Sequence, residues 1–409
     1  MQKNSKWRLA PLVLAGLACA GAQAQSGDSA FSVSGFATLG MAGTNSDTGQ
    51  YAIFGQNRGA SKTWSGEVDS KLGVQLTAKA NAMFSGTVQL LSKQNGDGNF
   101  NPEVEWAYVK MQAMPSLSFR VGRMGGPFFA VSDFRDVGYA NTWLRPPHDV
   151  YGQVPISNFE GADVIYQTNT GLGSLSAQVF GGKAKSMVQR TKVEMKSLVG
   201  FNATLEMDNG VSLRIGRLQG KLTVHAATLN SLVAGLRSVP IPSVVSVGNQ
   251  LDPNGKDASF TGLGLTWDQG EWLVSSEYTQ RRTDTYASDT NGWYLTVGHR
   301  FGKFTPYGTV SQLKQISSNV DNTIPKSGYP AATQAQLNFL SANVEGVVAG
   351  QRRDEKTLAA GVRWDAMRNV AVKAQLDRIT PKGPGLLLGV PSNFANRVSV
   401  YSLSVDMVF

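Results

Sequence analysis

The chain has 409 residues, 41% hydrophobic and 16% charged, with 45 glycines, 16 prolines, one cysteine, three histidines and a formal charge of +9. A single cysteine excludes a disulfide framework and a cysteine metal cluster, and glycines without a fixed period exclude collagen-like and propeller repeats. With no G-x-S-x-G elbow and no His/Asp/Glu cluster at ligand spacing, the sequence offers no catalytic, metal or cofactor site, and an enzyme is not expected.

At the N-terminus, Lys3, Lys6 and Arg8 precede an apolar run from Leu9 to Ala20 and the small-x-small site Ala22-Gln23-Ala24. This pattern predicts a signal peptide over 1–24 and a mature domain over 25–409. Cys19 would leave with it, and Gly16-Leu17-Ala18 has the wrong order for a lipobox that would acylate that cysteine. Loss of the three cations takes the charge from +9 to +6. So modest an excess, without a basic run, suits small anions and gives no nucleic-acid partner.

No later segment approaches the ~20 consecutive apolar residues of a membrane helix, so any crossing must use strands. The chain then reads as sixteen alternating segments: 30–41, 66–80, 83–93, 102–113, 117–124, 159–168, 174–185, 197–208, 211–225, 259–269, 271–283, 292–302, 304–315, 356–367, 370–381 and 397–409. Short turns such as Thr170-Gly171-Leu172-Gly173, Asp208-Asn209-Gly210, Gln269-Gly270 and Arg368-Asn369 mark the hairpins. Four connections are long: Met41–Ser65, Gly125–Asn158, Ala226–Ala258 and Ile316–Glu355. Two of these carry helical spacing, over Ala226–Val239 and Ala332–Gly350.

The last segment shows the pattern most cleanly. Tyr401, Leu403, Val405, Met407 and Phe409 fall on one face, with Ser402, Ser404 and Asp406 on the other. Alternation by itself fits a soluble sandwich or a lipid-facing barrel equally well. Charges decide for the barrel: Asp69, Lys71, Gln75 and Lys79 oppose Val68, Leu72, Val74, Leu76 and Ala78, and Arg363 and Asp365 oppose Val362 and Trp364. Inner charges on so many strands suit a wet lumen and would not survive in an apolar core. Trp106, Tyr108, Trp267, Trp272, Tyr278, Trp293 and Trp364 are expected on the outer face as aromatic girdles, with Lys110 outside beside the first two.

The segments Glu105-Trp106-Ala107-Tyr108-Val109-Lys110-Met111 and Leu117–Met124 (L-S-F-R-V-G-R-M), followed by a long loop, resemble the Gram-negative general porin family. Asp69-Ser70-Lys71-Leu72-Gly73 is similar to that family's S-R-L-G segment, and the terminal Phe409 resembles the signature read by its assembly machinery. The resemblance implies an all-β, 16-stranded antiparallel transmembrane β-barrel with long extracellular loops and an inward-folded third loop. It also implies an outer-membrane homotrimer, in contact with lipid and lipopolysaccharide, that passes small hydrophilic solutes. Matched to the family, Lys71, Arg120 and Arg123 would form a basic ladder on the pore wall, although Arg123 has outward parity and would need a bulge or a position beyond the membrane band. The loop 125–158 would be the constriction, with Asp133, Arg135, Asp136, Arg145, His148 and Asp149 as its charged or titratable residues and Pro146-Pro147 stiffening it. Two other readings remain open at this stage: a channel selective for organic anions, and a structural or receptor barrel closed by its loops.

Overall fold

A computed structural model describes residues 30–409; the signal-peptide reading of 1–24 lies outside the described residues. Sixteen strands form a closed antiparallel barrel in which each strand pairs with its sequence neighbours and β1 (Phe31–Thr44) pairs with β16 (Val398–Val408). The others are β2 (Lys71–Lys79), β3 (Phe84–Lys93), β4 (Glu103–Met114), β5 (Leu117–Gly125), β6 (Asn158–Thr170), β7 (Gly173–Val188), β8 (Thr191–Glu206), β9 (Val211–Val224), β10 (Lys256–Gln269), β11 (Trp272–Thr283), β12 (Asp289–His299), β13 (Phe304–Ser317), β14 (Glu355–Met367) and β15 (Val370–Pro381). Closure removes every unpaired edge, the condition for strands to cross a bilayer. The hairpin turns use residues that tolerate the left-handed backbone, Gly270 at φ 63° and Asn369 at φ 64°.

Strand β16 has the expected faces: Ser402, Ser404 and Asp406 are buried inside while Tyr401 and Leu403 are about half exposed outside. Its terminal Phe409 exchanges both backbone hydrogen bonds with Gly35, and the ring covers that glycine, where an added Cβ would meet it at 2.4 Å. The wall is low over β2 to β5 (9, 10, 12 and 9 residues) and high over β7 and β8 (16 each). Trp272, Tyr278, Trp293 and Trp364 are exposed on the outer surface of the β11–β14 region, as a girdle requires.

Four short helices lie in the long connections: α1 (His148–Tyr151), α2 (Ala227–Ser238), α3 (Pro242–Leu251) and α4 (Ala331–Gly350). Helices α2 and α4 match the expected spacing, and α3, started by Pro242 at its first turn, was not anticipated. The three pack by Leu229, Val233, Leu236, Val244, Val247, Leu251, Leu337, Leu340 and Val344 into a small apolar core of their own outside the barrel.

Two expected faces are corrected. Strand β2 begins only at Lys71, so Val68 does not meet lipid; it is 2% exposed and packs with Tyr51, Ala42 and Phe394 under the loops. On β4, Trp106 lies across from Gln89, Tyr108 from Thr87 and Lys110 from Arg120, all on the lumen face, whereas Val104 and Val109 are the exposed outer residues. The cause is local. Gln89 pairs with Trp106 but Leu90 pairs with Val104, so Glu105 is an extra residue in a β-bulge, and such a residue resets which side chains face inward.

Because the only cysteine is Cys19, single cysteines can report these faces. Lys110→Cys should react with a water-soluble, membrane-impermeant thiol reagent added to the assembled protein, and Val109→Cys should not. The reverse pattern of labelling would overturn the lumen assignment of β4.

Candidate functional site

The connection between β5 and β6, residues 126–157 and here termed loop 3, enters the barrel. Its base is pinched by Gly126 N donating to Ser157 O at 2.8 Å. A chain inside a lumen carries backbone groups that need partners, and the wall supplies them strand by strand. Arg214 of β9 donates to Pro127 O at 2.9 Å, and Ala130 N donates to Glu277 of β11, which also accepts from Tyr151 Oη. Trp143 Nε1 donates to Thr296 of β12 at 2.8 Å, and Leu144 N reaches both Tyr307 of β13 and Gln375 of β15 at 3.2 Å.

The strongest anchor is Lys373 of β15, 1% exposed. Its ammonium donates to the carbonyls of Gly138, Asn141 and Trp143 at 2.7, 2.7 and 2.8 Å and lies 3.2 Å from Asp406 of β16. Asp406 in turn accepts from Thr38 of β1 at 2.6 Å. At Gly138 the loop touches the wall so closely that a Cβ would lie 2.1 Å from the Asp406 carboxylate, which is why a glycine stands there.

Apolar contacts fill the space behind the loop. Phe128, Phe129, Val131, Trp143, Val150, Tyr151 and Ile156 pack against Met124, Phe159, Phe180, Leu218, Phe260, Tyr294 and Tyr307 of the wall. Phe129 stacks on Tyr151 at 4.5 Å, and Trp143 meets Tyr294 edge-on at 5.7 Å. The interior over β6 to β13 is therefore a packed aromatic wedge.

Open space lies on the opposite side, against β1 to β4. A cavity of about 280 Å³ is bounded by Ser34 and Phe36 of β1, Gln75 of β2, Gln89 of β3, Glu105 and Trp106 of β4, and the loop 3 segment from Ser132 to Val137. Asp136, one of the lining residues, pairs with Lys93 at 2.9 Å and Lys71 at 3.6 Å. Burial opposes ionisation of Asp136, but the two lysines outweigh it and hold the carboxyl well below the usual carboxylate range.

The description "Gram-negative porin" matches residues 10–384. The chain belongs to the Gram-negative porin family. No curated protein matches it. Among solved structures, OmpF of Salmonella typhi, in complex with daunomycin, is 14% identical with a TM-score of 0.57 over 93% of this chain and 97% of that one. The anion-selective porin from Comamonas acidovorans is 12% identical (TM-score 0.54; 93% and 99% covered), and the trimer form of OmpT of Vibrio cholerae 10% identical (0.51; 93% and 100%). At such identities these neighbours establish the shared fold. Family and fold together make this protein an outer-membrane porin, a channel for small hydrophilic solutes.

In the porin, the three residues matched to the basic ladder separate. Lys71 faces the lumen and Asp136. Arg120 also faces the lumen, but it is bound in bidentate fashion to the buried Asp163, Nε to Oδ1 at 3.0 Å and Nη2 to Oδ2 at 2.5 Å, and lies 5.2 Å over Tyr108. Arg123 is on the outer surface: its guanidinium pairs with Glu160 and donates to Val104 O at 2.9 Å. No bulge intervenes, because the β4–β5 register runs unbroken from Gln112 to Arg123, and the expected placement of Arg123 on the pore wall is corrected. Arg214 and Arg217 repeat the split, the first inward to loop 3 and the second outward to Thr261.

The loop residues separate too. Asp133, Arg135 and Asp136 line the cavity. Arg145, 6% exposed, is clamped by Asp69 at 2.7 Å, Asp377 at 3.1 Å and Ser402 at 2.6 Å, with its guanidinium 4.9 Å over Tyr51. His148 Nε2 accepts from Phe54 N at 3.0 Å, and burial beside Arg145 pushes its pKa down to about 3, so the ring is a neutral acceptor. Asp149 accepts from Ser311 and lies against Glu355, and burial raises its carboxyl pKa. These three hold the loop in place and take no part in the cavity lining described above. Reading the sequence missed Lys93, Glu105, Glu277 and Lys373; a lone lysine between Val372 and Ala374 carries no local sign of three carbonyl partners.

Replacing Lys373 by Met should lower the unfolding midpoint of the assembled barrel markedly, since an unpaired buried Asp406 costs about 3–5 kcal/mol. Adding Asp406→Asn should recover much of the loss, whereas additive losses in this double-mutant cycle would show that the two side chains do not act as a pair.

Proposed function

We propose that this porin is a passive, weakly selective channel whose eyelet lies between the Ser132–Val137 segment of loop 3 and the low wall of β1 to β4. The observation that carries the reading is the distribution of polar groups. Loop 3 turns Phe128, Phe129, Val131, Trp143, Val150, Tyr151 and Ile156 to the high wall and presents Asp133, Arg135 and Asp136 to the cavity, opposite Gln75 and Gln89, with Asp136 paired to Lys71 and Lys93. Acidic groups on the loop against lysines on the wall set up a field across the opening, which favours dipolar solutes and disfavours apolar ones.

A homotrimer contacting outer-membrane lipid and lipopolysaccharide belongs to the same reading. Its support is the aliphatic outer face of the low wall, where Val74, Leu76, Val88, Leu90, Val104 and Val109 are exposed, against the aromatic surface of β11 to β14. A low aliphatic face suits contact between copies, and an aromatic belt suits the bilayer interface. Cleavage near Ala24 and recognition of Phe409 by the assembly machinery complete the proposal.

Deleting Asp133–Asp149 should enlarge the single-channel conductance several-fold, since the narrowest section sets the resistance. An unchanged conductance in assembled deletion barrels would refute the eyelet. In a KCl gradient, replacing Lys71, Lys93 and Lys110 together by Gln should move the reversal potential towards cations. The shift should be strong at tens of millimolar salt and weak near 1 M, where the screening length is ~3 Å. Arg123→Gln, on the outer surface, should leave it in place; a shift there without one from the lysines would reverse the assignment of faces.

A further inference from the structure

The eyelet combines four features that a simple charged constriction does not need. First, the β-bulge at Glu105 brings two consecutive residues of β4, Glu105 and Trp106, to the cavity wall, setting a large aromatic beside a carboxylate. Second, Gln89 Nε2 donates to Gln75 Oε1 at 3.1 Å, so two amides form a ladder on the adjoining strands and keep further donor and acceptor capacity. Third, the side chains of Asp133 and Arg135 and the indole N–H of Trp106 make no hydrogen bond among the described residues, although all three line the cavity. Fourth, charges of both signs meet there: Glu105, Asp133, Asp136 and Arg135 line the cavity, and Lys71 and Lys93, outside its lining, pair with Asp136.

Each feature narrows the class of solute. Charges of both signs, with Asp136 already held by two lysines, give little net attraction to an organic cation or anion. Amides, a carboxylate and a guanidinium with free hydrogen-bonding capacity suit a solute with many hydroxyls, which both donate and accept. An indole beside them offers apolar surface to a ring whose faces carry C–H groups, with a polar handle at its edge. A volume of about 280 Å³ is at the small end of the ~300–1,000 Å³ usual for ligand sites, room for a single ring.

We propose that the eyelet binds, in transit, one uncharged polyhydroxylated ring of monosaccharide size, with Trp106 as its platform and Gln75, Gln89, Glu105, Asp133 and Arg135 as hydrogen-bonding partners. This rests on the eyelet reading above and names its solute.

The test is single-channel recording in KCl with glucose as the probe, compared with sorbitol, an acyclic polyol of similar size, and with benzoate and ethylammonium as charged probes. Glucose should reduce the open-channel current reversibly and with saturation, and more strongly than the other three. Trp106→Ala should weaken the glucose effect about tenfold, the scale expected for truncating a ring-bearing contact, and Trp106→Phe should restore much of it. If Trp106→Ala fails to insert, Gln89→Ala should weaken the effect in the same direction. A conducting channel with no saturable glucose effect, an equal effect of sorbitol, stronger block by either charged probe, or an effect indifferent to Trp106 and Gln89 would overturn the inference and leave the channel reading standing. Absence of any conductance would instead refute the channel reading itself.

Discussion

A buried ammonium governs this molecule. Lys373 gives up its hydration and receives three carbonyls of loop 3 and the carboxylate of Asp406 in exchange. A charge removed from water is costly unless its partners are all in place, so the lysine tolerates few positions of the loop. Arg145 works in the same way from the loop's side, held between Asp69, Asp377 and Ser402. Two cations, one on the wall and one on the loop, thus fix a long irregular segment inside a barrel where it would otherwise be free to swing.

The consequence is an asymmetric lumen. Over β6 to β13 the aromatic side chains of loop 3 and of the wall exclude water, and the loop backbone finds its partners in inward-facing polar residues such as Glu277 and Thr296. Over β1 to β3 no described residue belongs to that aromatic cluster, and polar inner residues such as Gln75 and Gln89 face a cavity. The loop divides its side chains accordingly. Phe128, Phe129, Trp143 and Tyr151 serve packing, Arg145, His148 and Asp149 serve anchoring, and the short stretch from Ser132 to Val137 is presented to the opening.

Charge on the outer surface is arranged by height. Arg123, Glu160 and Lys183 form a cluster on the outer surface of β5 to β7, and Lys221 pairs with Asp257 on β9 and β10. Exposed Val121 and Val179 precede them along their strands. Aliphatic residues in the band and paired charges beyond it place each group in the medium that costs it least.

Much was legible in the sequence because it depends on local rules. Period-two alternation, interrupted by glycine- and asparagine-containing turns, marks sixteen strands, and the observed strand boundaries mostly differ from the reading by a few residues, with β2 shorter at its start and β8 starting six residues earlier. The polar and apolar faces of β16, the entry of Lys71 and Arg120 into the lumen, and the family resemblance follow from the same patterning. What tertiary structure alone decided is which faces survive a bulge and which distant groups meet. One extra residue at Glu105 turned Trp106, Tyr108 and Lys110 inward, while an unbroken register kept Arg123 outside. The roles of Arg145, His148 and Lys373 depend on partners as far as 257, 94 and 235 residues away. Alternation records the two sides of a strand; the partner that a buried charge requires is set by closure of the barrel, which brings β1, β15 and β16 to the same stretch of loop.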